Sequence, residues 1–224
     1  MRLKRGLLIT IDGPAGSGKS TISKLLAKKL SYLYLDTGAL YRAVAYQALK
    51  KGISTAAEER IAELCYRAKI RLQRDDHALR VFVDGEDVTG KIRTEPVSLL
   101  ASTLSAMPAV RASLLSTQRE FAKNGCVIAE GRDMGTVVFP EADFKFFLEA
   151  DVEERVRRRY MELVMRGENV DYSSLKKDIM SRDRQDRERA IAPLKVPEGA
   201  IILDSTQLDA EAVVNAMLAV IDKR

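Results

Sequence analysis

Tryptophan is missing from this chain of 224 residues, histidine occurs once and cysteine twice. Cys65 and Cys126 stand too far apart for a metal-binding motif or a disulfide framework, and are expected to pack as small buried hydrophobes. His77 lies in the polar run Arg74-Asp75-Asp76-His77-Ala78, with no orienting partner for base catalysis and no second ligand for a metal; it reads as a surface turn residue. Aromatic residues make up only 6% of the chain, too few to build a stacking surface for single-stranded nucleic acid. Long apolar runs are absent as well: a stretch such as Leu7 to Ile11 is far too short to span a bilayer. The basic start Met1-Arg2-Leu3-Lys4-Arg5 leads into an apolar run that ends at Asp12 with no small-residue cleavage site. It is expected to be the entry to a first strand, in a cytoplasmic protein. No internal repeat or low-complexity linker interrupts the chain.

What is present is ordinary globular material, 46% hydrophobic and 31% charged, enough for one core with an inserted subdomain. Short apolar runs at Gly6 to Ile11, Tyr32 to Leu35, Cys126 to Ala129, Phe144 to Leu148 and Ala200 to Leu203 read as buried parallel strands. Helical spacing fills the intervals between them: Ser20 to Leu30, Gly38 to Lys51, Glu58 to Ala68, Glu95 to Ser105, Pro108 to Lys123, a helix capped by Asp151 and running to Arg166, one from Asp171 to Ala190, and Ala210 to Ile221. This alternation predicts an α/β fold, a five-stranded parallel sheet with helices on both faces. One interval breaks the pattern. Ile70 and Leu72 alternate with charges, as do Leu79, Val81 and Val83; Asp84-Gly85 is a turn signal, and Val88 begins a third extended piece. A small antiparallel three-stranded insert is expected there.

The segment Gly13-Pro14-Ala15-Gly16-Ser17-Gly18-Lys19-Ser20 satisfies G-x-x-x-x-G-K-[ST] in full, with an apolar strand before it and an amphipathic helix after it. The glycines let successive N–H groups turn inward, and the helix start adds the positive end of its dipole. Lys19 is expected to reach the β- and γ-phosphates of a nucleoside triphosphate, the Ser20 hydroxyl to hold Mg2+, and Thr21 to complete the loop. The net charge is +5, and residues 155–189, with nine arginines, two lysines and seven acids, carry +4 of it. Arginine's planar fork suits phosphate, although many of these charges also have partners three or four residues away, as on any solvated helix.

Four stretches carry a resemblance: Ile11-Asp12-Gly13-Pro14 with the phosphate loop, Leu35-Asp36-Thr37-Gly38-Ala39-Leu40-Tyr41-Arg42, Ala129-Glu130-Gly131-Arg132-Asp133-Met134-Gly135-Thr136-Val137-Val138, and Asp183 to Arg189 followed by Ala192-Pro193-Leu194. Together they resemble the bacterial cytidylate kinases, nucleoside-monophosphate kinases that phosphorylate CMP and dCMP with ATP. Gly85-Glu86-Asp87-Val88-Thr89 and Ile92-Arg93-Thr94 are similar to that family's insert. The resemblance implies a core (1–36, 112–150 and 185–224), an NMP-binding subdomain (37–111) and a lid (151–184). It implies that Arg42, Arg132 and Arg189 hold the acceptor phosphate, and that Ser102, Arg111 and Asp133 face the cytosine. Asp186 and Arg182, helped by the Thr37 hydroxyl, would bind the ribose. Arg155, Arg158 and Arg159 would stand near the donor. Lys19, Arg132, Arg158 and Arg189 would form the catalytic set, and the Glu130 carboxylate would help order the magnesium shell.

Such a reaction needs no covalent intermediate; it needs two phosphate-bearing anions brought together by guanidinium groups and Mg2+ in a site closed to water. Substrates are then CMP, dCMP and ATP, and a monomer free of nucleic acid and membrane is expected. Two other readings compete. A nucleic-acid-binding NTPase would suit a pI near 9.2, but here the arginines interleave with acids that would repel a polyphosphate backbone. A phosphate-loop kinase for another small acceptor, such as UMP or a sugar alcohol, would use the same loop.

Overall fold

The structure is a computed structural model that describes residues 6–75 and 78–223. The basic entry at residues 1–5 and the turn holding His77 lie outside the described residues. In chain order the elements are β1 (Leu8–Asp12), α1 (Lys19–Leu30), β2 (Leu33–Asp36), α2 (Thr37–Lys50), α3 (Glu58–Arg67), β3 (Ile70–Asp75), β4 (Ala78–Val83), β5 (Glu86–Asp87), α4 (Glu95–Leu104), α5 (Pro108–Phe121), β6 (Val127–Gly131), β7 (Phe144–Glu149), α6 (Val152–Met165), α7 (Tyr172–Glu188), β8 (Ile201–Asp204) and α8 (Ala210–Ile221).

Five strands pair in parallel in the order β2-β6-β1-β7-β8. β1 is buried at every position, as a central strand covered on both faces must be. On one face Ile22 and Leu26 of α1 and Val213 and Met217 of α8 close over Ile9, Ile11, Ile128 and Phe146. Leu8, Leu35, Val127, Met134 and Phe139 pack on the other. Each fully buried leucine or isoleucine contributes about 1.5–3 kcal/mol. The helices α2 to α5 and the antiparallel sheet β3-β4-β5 share a separate cluster that includes Leu40, Val44, Val83, Leu104 and Val110. A small cluster of Val156, Leu163, Leu175 and Ile179 holds α6 to α7. Among the described residues no single helix is long and apolar enough to cross a membrane.

Several expectations need correction. Cys126 is exposed, unlike Cys65. Gly125 and Cys126 take successive left-handed conformations (φ 71° and 54°), which swing the chain out of α5 and leave Cys126 outside the strand that starts at Val127. Asp151 occupies the cap position of α6, yet its side chain accepts no capping bond; its own N–H instead donates to Thr206 Oγ1 at 2.9 Å. Asp171 does cap α7, accepting from the Ser174 N–H at 2.7 Å. The third strand of the insert pairs at Glu86 and Asp87 rather than from Val88. After β6 the chain forms a single π-helical turn, Met134–Val138, for which no expectation existed.

Candidate functional site

In a parallel sheet every strand points its carboxyl end to one edge, and ligands bind in the crevice outside that edge. Here β1 ends on Asp12, β2 on Asp36 and β6 on Gly131, and the segments that follow them border one cavity of about 600 Å³.

The phosphate loop leaves β1 at Gly13, whose φ is 152°; a Cβ there would fall 2.1 Å from the Leu148 carbonyl oxygen, so only glycine fits. α1 then starts at Lys19 behind Gly18. Lys19 is buried and folds back along its own loop, its Nζ donating to the Pro14 carbonyl at 2.6 Å and to Ser17 Oγ at 3.3 Å. Burial, and then the nearby Arg132 charge, pull its pKa down to about 7. The Ser20 hydroxyl donates to Glu130 Oε1 at 2.7 Å, and the Tyr34 hydroxyl donates to the same oxygen. Glu130 Oε2 is buried without a partner, and burial together with Asp36 pushes this carboxyl up. A hydroxyl and an orphaned carboxylate oxygen are hard donors of the kind Mg2+ takes. Among the described residues no cluster of three or more His, Cys, Asp or Glu could hold a metal on its own, so the ion would also need ligands from nucleotide phosphates.

The opposite wall is built from arginines. Arg42 pairs with Asp36 at 2.7 Å, and Asp36 in turn accepts the Ala39 N–H that starts α2. Arg132 donates from Nε to Asp186 Oδ2 at 2.7 Å. Burial pushes Asp186 up, but the charge and hydrogen bond of Arg132, with Arg189 and Arg182 beside it, hold it below the usual carboxylate range. Asp133 pairs with Arg111 and lies 3.6 Å from Arg189, yet burial outweighs both and raises its pKa. Arg189 also donates to Ser105 Oγ at 3.0 Å and to the Ala192 carbonyl at 2.7 Å. Three guanidinium nitrogens on this wall, Nε of Arg42, Nε of Arg182 and Nη2 of Arg189, are buried with no hydrogen-bond partner. These nitrogens are closed off from solvent, and Arg189 Nη2 lies 3.6 Å from Asp133 Oδ1, so what the wall offers an anion in the cavity is the positive charge of Arg42, Arg132, Arg182 and Arg189.

The nine residues predicted for the acceptor all line this cavity. The two hydroxyls among them are also engaged: the Thr37 hydroxyl donates to the Glu130 carbonyl at 2.7 Å, and Ser102 Oγ donates to Gln185 Oε1 at 3.2 Å. The three arginines expected near the donor divide. Arg158 and Arg159 line the cavity. Arg158 holds Glu154 and donates to Ser205 Oγ and the Ser205 carbonyl; Arg159 bridges to Glu162 and, across the cleft, to Glu95 at 2.8 Å. Arg155 lies behind the loop, bound to the Ala15 and Ala150 carbonyls and, at 2.6 Å, to Asp183. It braces the phosphate loop and does not face the cavity.

Sequence reasoning missed Asp12, Tyr34, Asp36, Glu95 and Arg93, the last of which reaches Asp36 at 3.3 Å. Asp12 had a visible signal, a charged residue closing an otherwise apolar strand. Asp36 had the pattern of a helix cap. Tyr34 and Glu95 had none, because their partners are remote in sequence.

The family described as "Cytidylate kinase" matches residues 9–223. The cytidylate kinase of Citrifermentans bemidjiense is 48% identical over 221 residues, covering 99% of this chain and 95% of the relative. That of Geobacter sp. strain M21 is 49% identical with the same coverage. Among solved structures, the shikimate kinase of Bacteroides thetaiotaomicron superposes with a TM-score of 0.51 at 16% identity, covering 96% of this chain and 98% of that one, a likeness of fold alone.

Proposed function

The chain belongs to the cytidylate kinase family, and from that premise we propose that it transfers the γ-phosphoryl group of ATP to CMP and dCMP by direct in-line attack. The observation that carries this reading is the one cavity with a phosphate loop on one wall and the guanidinium groups of Arg42, Arg132, Arg182 and Arg189 on the other. Two polyanions can be brought into contact there because each meets its own set of cations.

An oxygen of the acceptor phosphate attacks the γ-phosphorus, and the bond to the bridging oxygen of ADP breaks in the same line. Arg42, Arg132 and Arg189 hold and neutralise the acceptor phosphate. Lys19 releases the Pro14 carbonyl and follows the transferring group, assisted by Arg158. Arg159 faces the donor phosphates from the lid, while Arg155 acts indirectly by fixing the loop. Ser20, with Glu130 ordering its hydroxyl, would hold Mg2+, which would supply charge neutralisation at the donor phosphates. Ser102, Arg111 and Asp133 read the cytosine; Asp186, Arg182 and Thr37 take the ribose. The acceptor subdomain is assigned to 37–111 and the lid to 151–184, with the remainder as core. The reading extends to a cytoplasmic monomer: the substrates diffuse freely, and two moving parts leave little fixed surface for a partner.

An acceptor screen with CMP, dCMP, UMP, AMP and shikimate tests the assignment; turnover of UMP or shikimate above that of CMP would overturn it. Arg132→Ala and Arg189→Ala should each raise KM for CMP by at least about tenfold and leave KM for ATP nearly unchanged. Equal losses for both nucleotides would move these arginines to the donor side.

A further inference from the structure

Asp12 is the last residue of β1, and the phosphate loop begins at the next position. Its side chain is fully buried, and its hydrogen bonds go to neither the lysine nor the serine of that loop. It crosses instead to the acceptor side. Oδ1 accepts the Met134 N–H at 2.8 Å and Oδ2 accepts the Gly135 N–H at 2.7 Å. These are the first two amides of the π-helical turn that follows Arg132 and Asp133 directly. The same turn holds Asp133 from its other side, because the Asp133 carbonyl accepts from the N–H groups of Val137 at 2.9 Å and Val138 at 3.1 Å. The backbone that presents Arg132 and Asp133 is thus fixed at two points, and one of them is the root of the phosphate loop.

We propose that Asp12 is a positioning residue for phosphoryl transfer, its carboxylate locking the acceptor loop to the donor loop so that the two phosphates meet in line. The inference rests on the kinase reading above. Two bonds from one rigid carboxylate set both the distance and the direction of the acceptor loop, where a single bond would leave it free to swing. Stability alone gives no reason for a carboxylate here: burial lifts its pKa to about 6, against the two backbone bonds that lower it, so the ionised form is held at a cost to the fold. The charged groups facing it are Asp133, which raises it further, and Lys19, which lowers it. Its register partners, Gly131 on β6 and Phe147 on β7, carry no charge. A π-turn at this point is also unusual; such turns concentrate at functional sites.

The test is Asp12→Asn. The amide matches the carboxylate in size but keeps one acceptor oxygen and turns an NH2 donor toward an N–H. With saturating nucleotides kcat should fall about 10- to 100-fold, as for a misplacement of a fraction of an ångström. KM for CMP should rise about fivefold or more, with KM for ATP within about twofold of the parent. Changes below twofold throughout, or equal factors for both nucleotides, would overturn the proposal. Should the variant not fold, the parent protein answers by NMR between pH 5 and 8: the Met134 and Gly135 amides and the Arg132 Nε–H should move in step with the Asp12 carboxyl carbon. An Arg132 resonance that stays still while Asp12 titrates would overturn it equally. Absence of CMP turnover in the parent would sink the kinase reading itself, whereas CMP turnover with an indifferent variant would sink only the role of Asp12.

Discussion

A buried amine held by a carbonyl and a hydroxyl is a cation waiting for a better partner, and Lys19 is in that position. Lys19→Ala should leave the fold intact and lower kcat about a thousandfold, since a lost charge on the transferring group removes several kcal/mol of transition-state stabilisation. Retention of more than about a tenth of parental turnover would remove Lys19 from the mechanism. On the proposed reading Asp133 tells cytosine from uracil, because a carboxylate accepts from an exocyclic amine and repels a carbonyl. Asp133→Asn should narrow the ratio of kcat/KM for CMP over UMP; a uniform loss for both would mean that the residue serves only Arg111. Asp186 offers a test by pH. Its folded pKa lies below the unfolded value, so its contribution to stability is complete above the ordinary carboxylate range and disappears as pH falls through the folded pKa. Asp12, raised instead, works in the opposite sense in parent and variant alike and cancels in the comparison. Urea denaturation at pH 7, 5 and 3 should therefore show the parent losing more stability on acidification than Asp186→Asn. Parallel curves would mean that the Arg132 pair adds nothing to folding.

At the scale of elements, the bridge from Arg159 on α6 to Glu95 on α4 joins the two sides of the cleft. Both side chains are partly exposed, so the pair contributes about 0.2–1 kcal/mol, enough to shift an open–closed balance severalfold but not to lock it. Arg159 cannot hold Glu95 and a nucleotide phosphate with the same nitrogens. Glu95→Gln should enlarge the radius of gyration of the ligand-free protein in small-angle scattering and leave that of the ATP- and CMP-bound protein unchanged. Identical ligand-free radii would show that the bridge does not hold the cleft. This bridge also marks where legibility ended. The phosphate loop could be read because its geometry is set by eight consecutive residues, and the strands because burial on both faces leaves unbroken apolar runs. The acceptor residues were named through the family-like stretches. The engagement of Arg155 with the phosphate loop, the exposure of Cys126 and the reach of Asp12 to amides 122 and 123 residues away depend on contacts between remote segments, which no local pattern encodes. The π-turn has no sequence signature, since its register differs from an α-helix by one residue.

For the whole molecule, the sheet order carries the argument. β6 lies between β1 and β2 and supplies a hydrogen-bonded neighbour to each. A fragment of residues 1–126 retains β1, β2 and the helices α1 to α5 but lacks the strand between. It should show no cooperative thermal transition by circular dichroism at 222 nm, whereas the full chain should show one. A cooperative melt of the fragment would mean that the helical cluster around Leu40 and Leu104 folds without the sheet. The order also has a consequence in time. A ribosome adds about 5–20 residues per second, so β1 and β2 must wait about 5 to 20 s while residues 37–126 are made before their shared partner emerges. Throughout that interval the nascent chain carries two apolar strand edges that cannot pair with each other in the native arrangement. The interval is set by the order of the strands, and a chaperone that covers exposed strand edges would have that long to act.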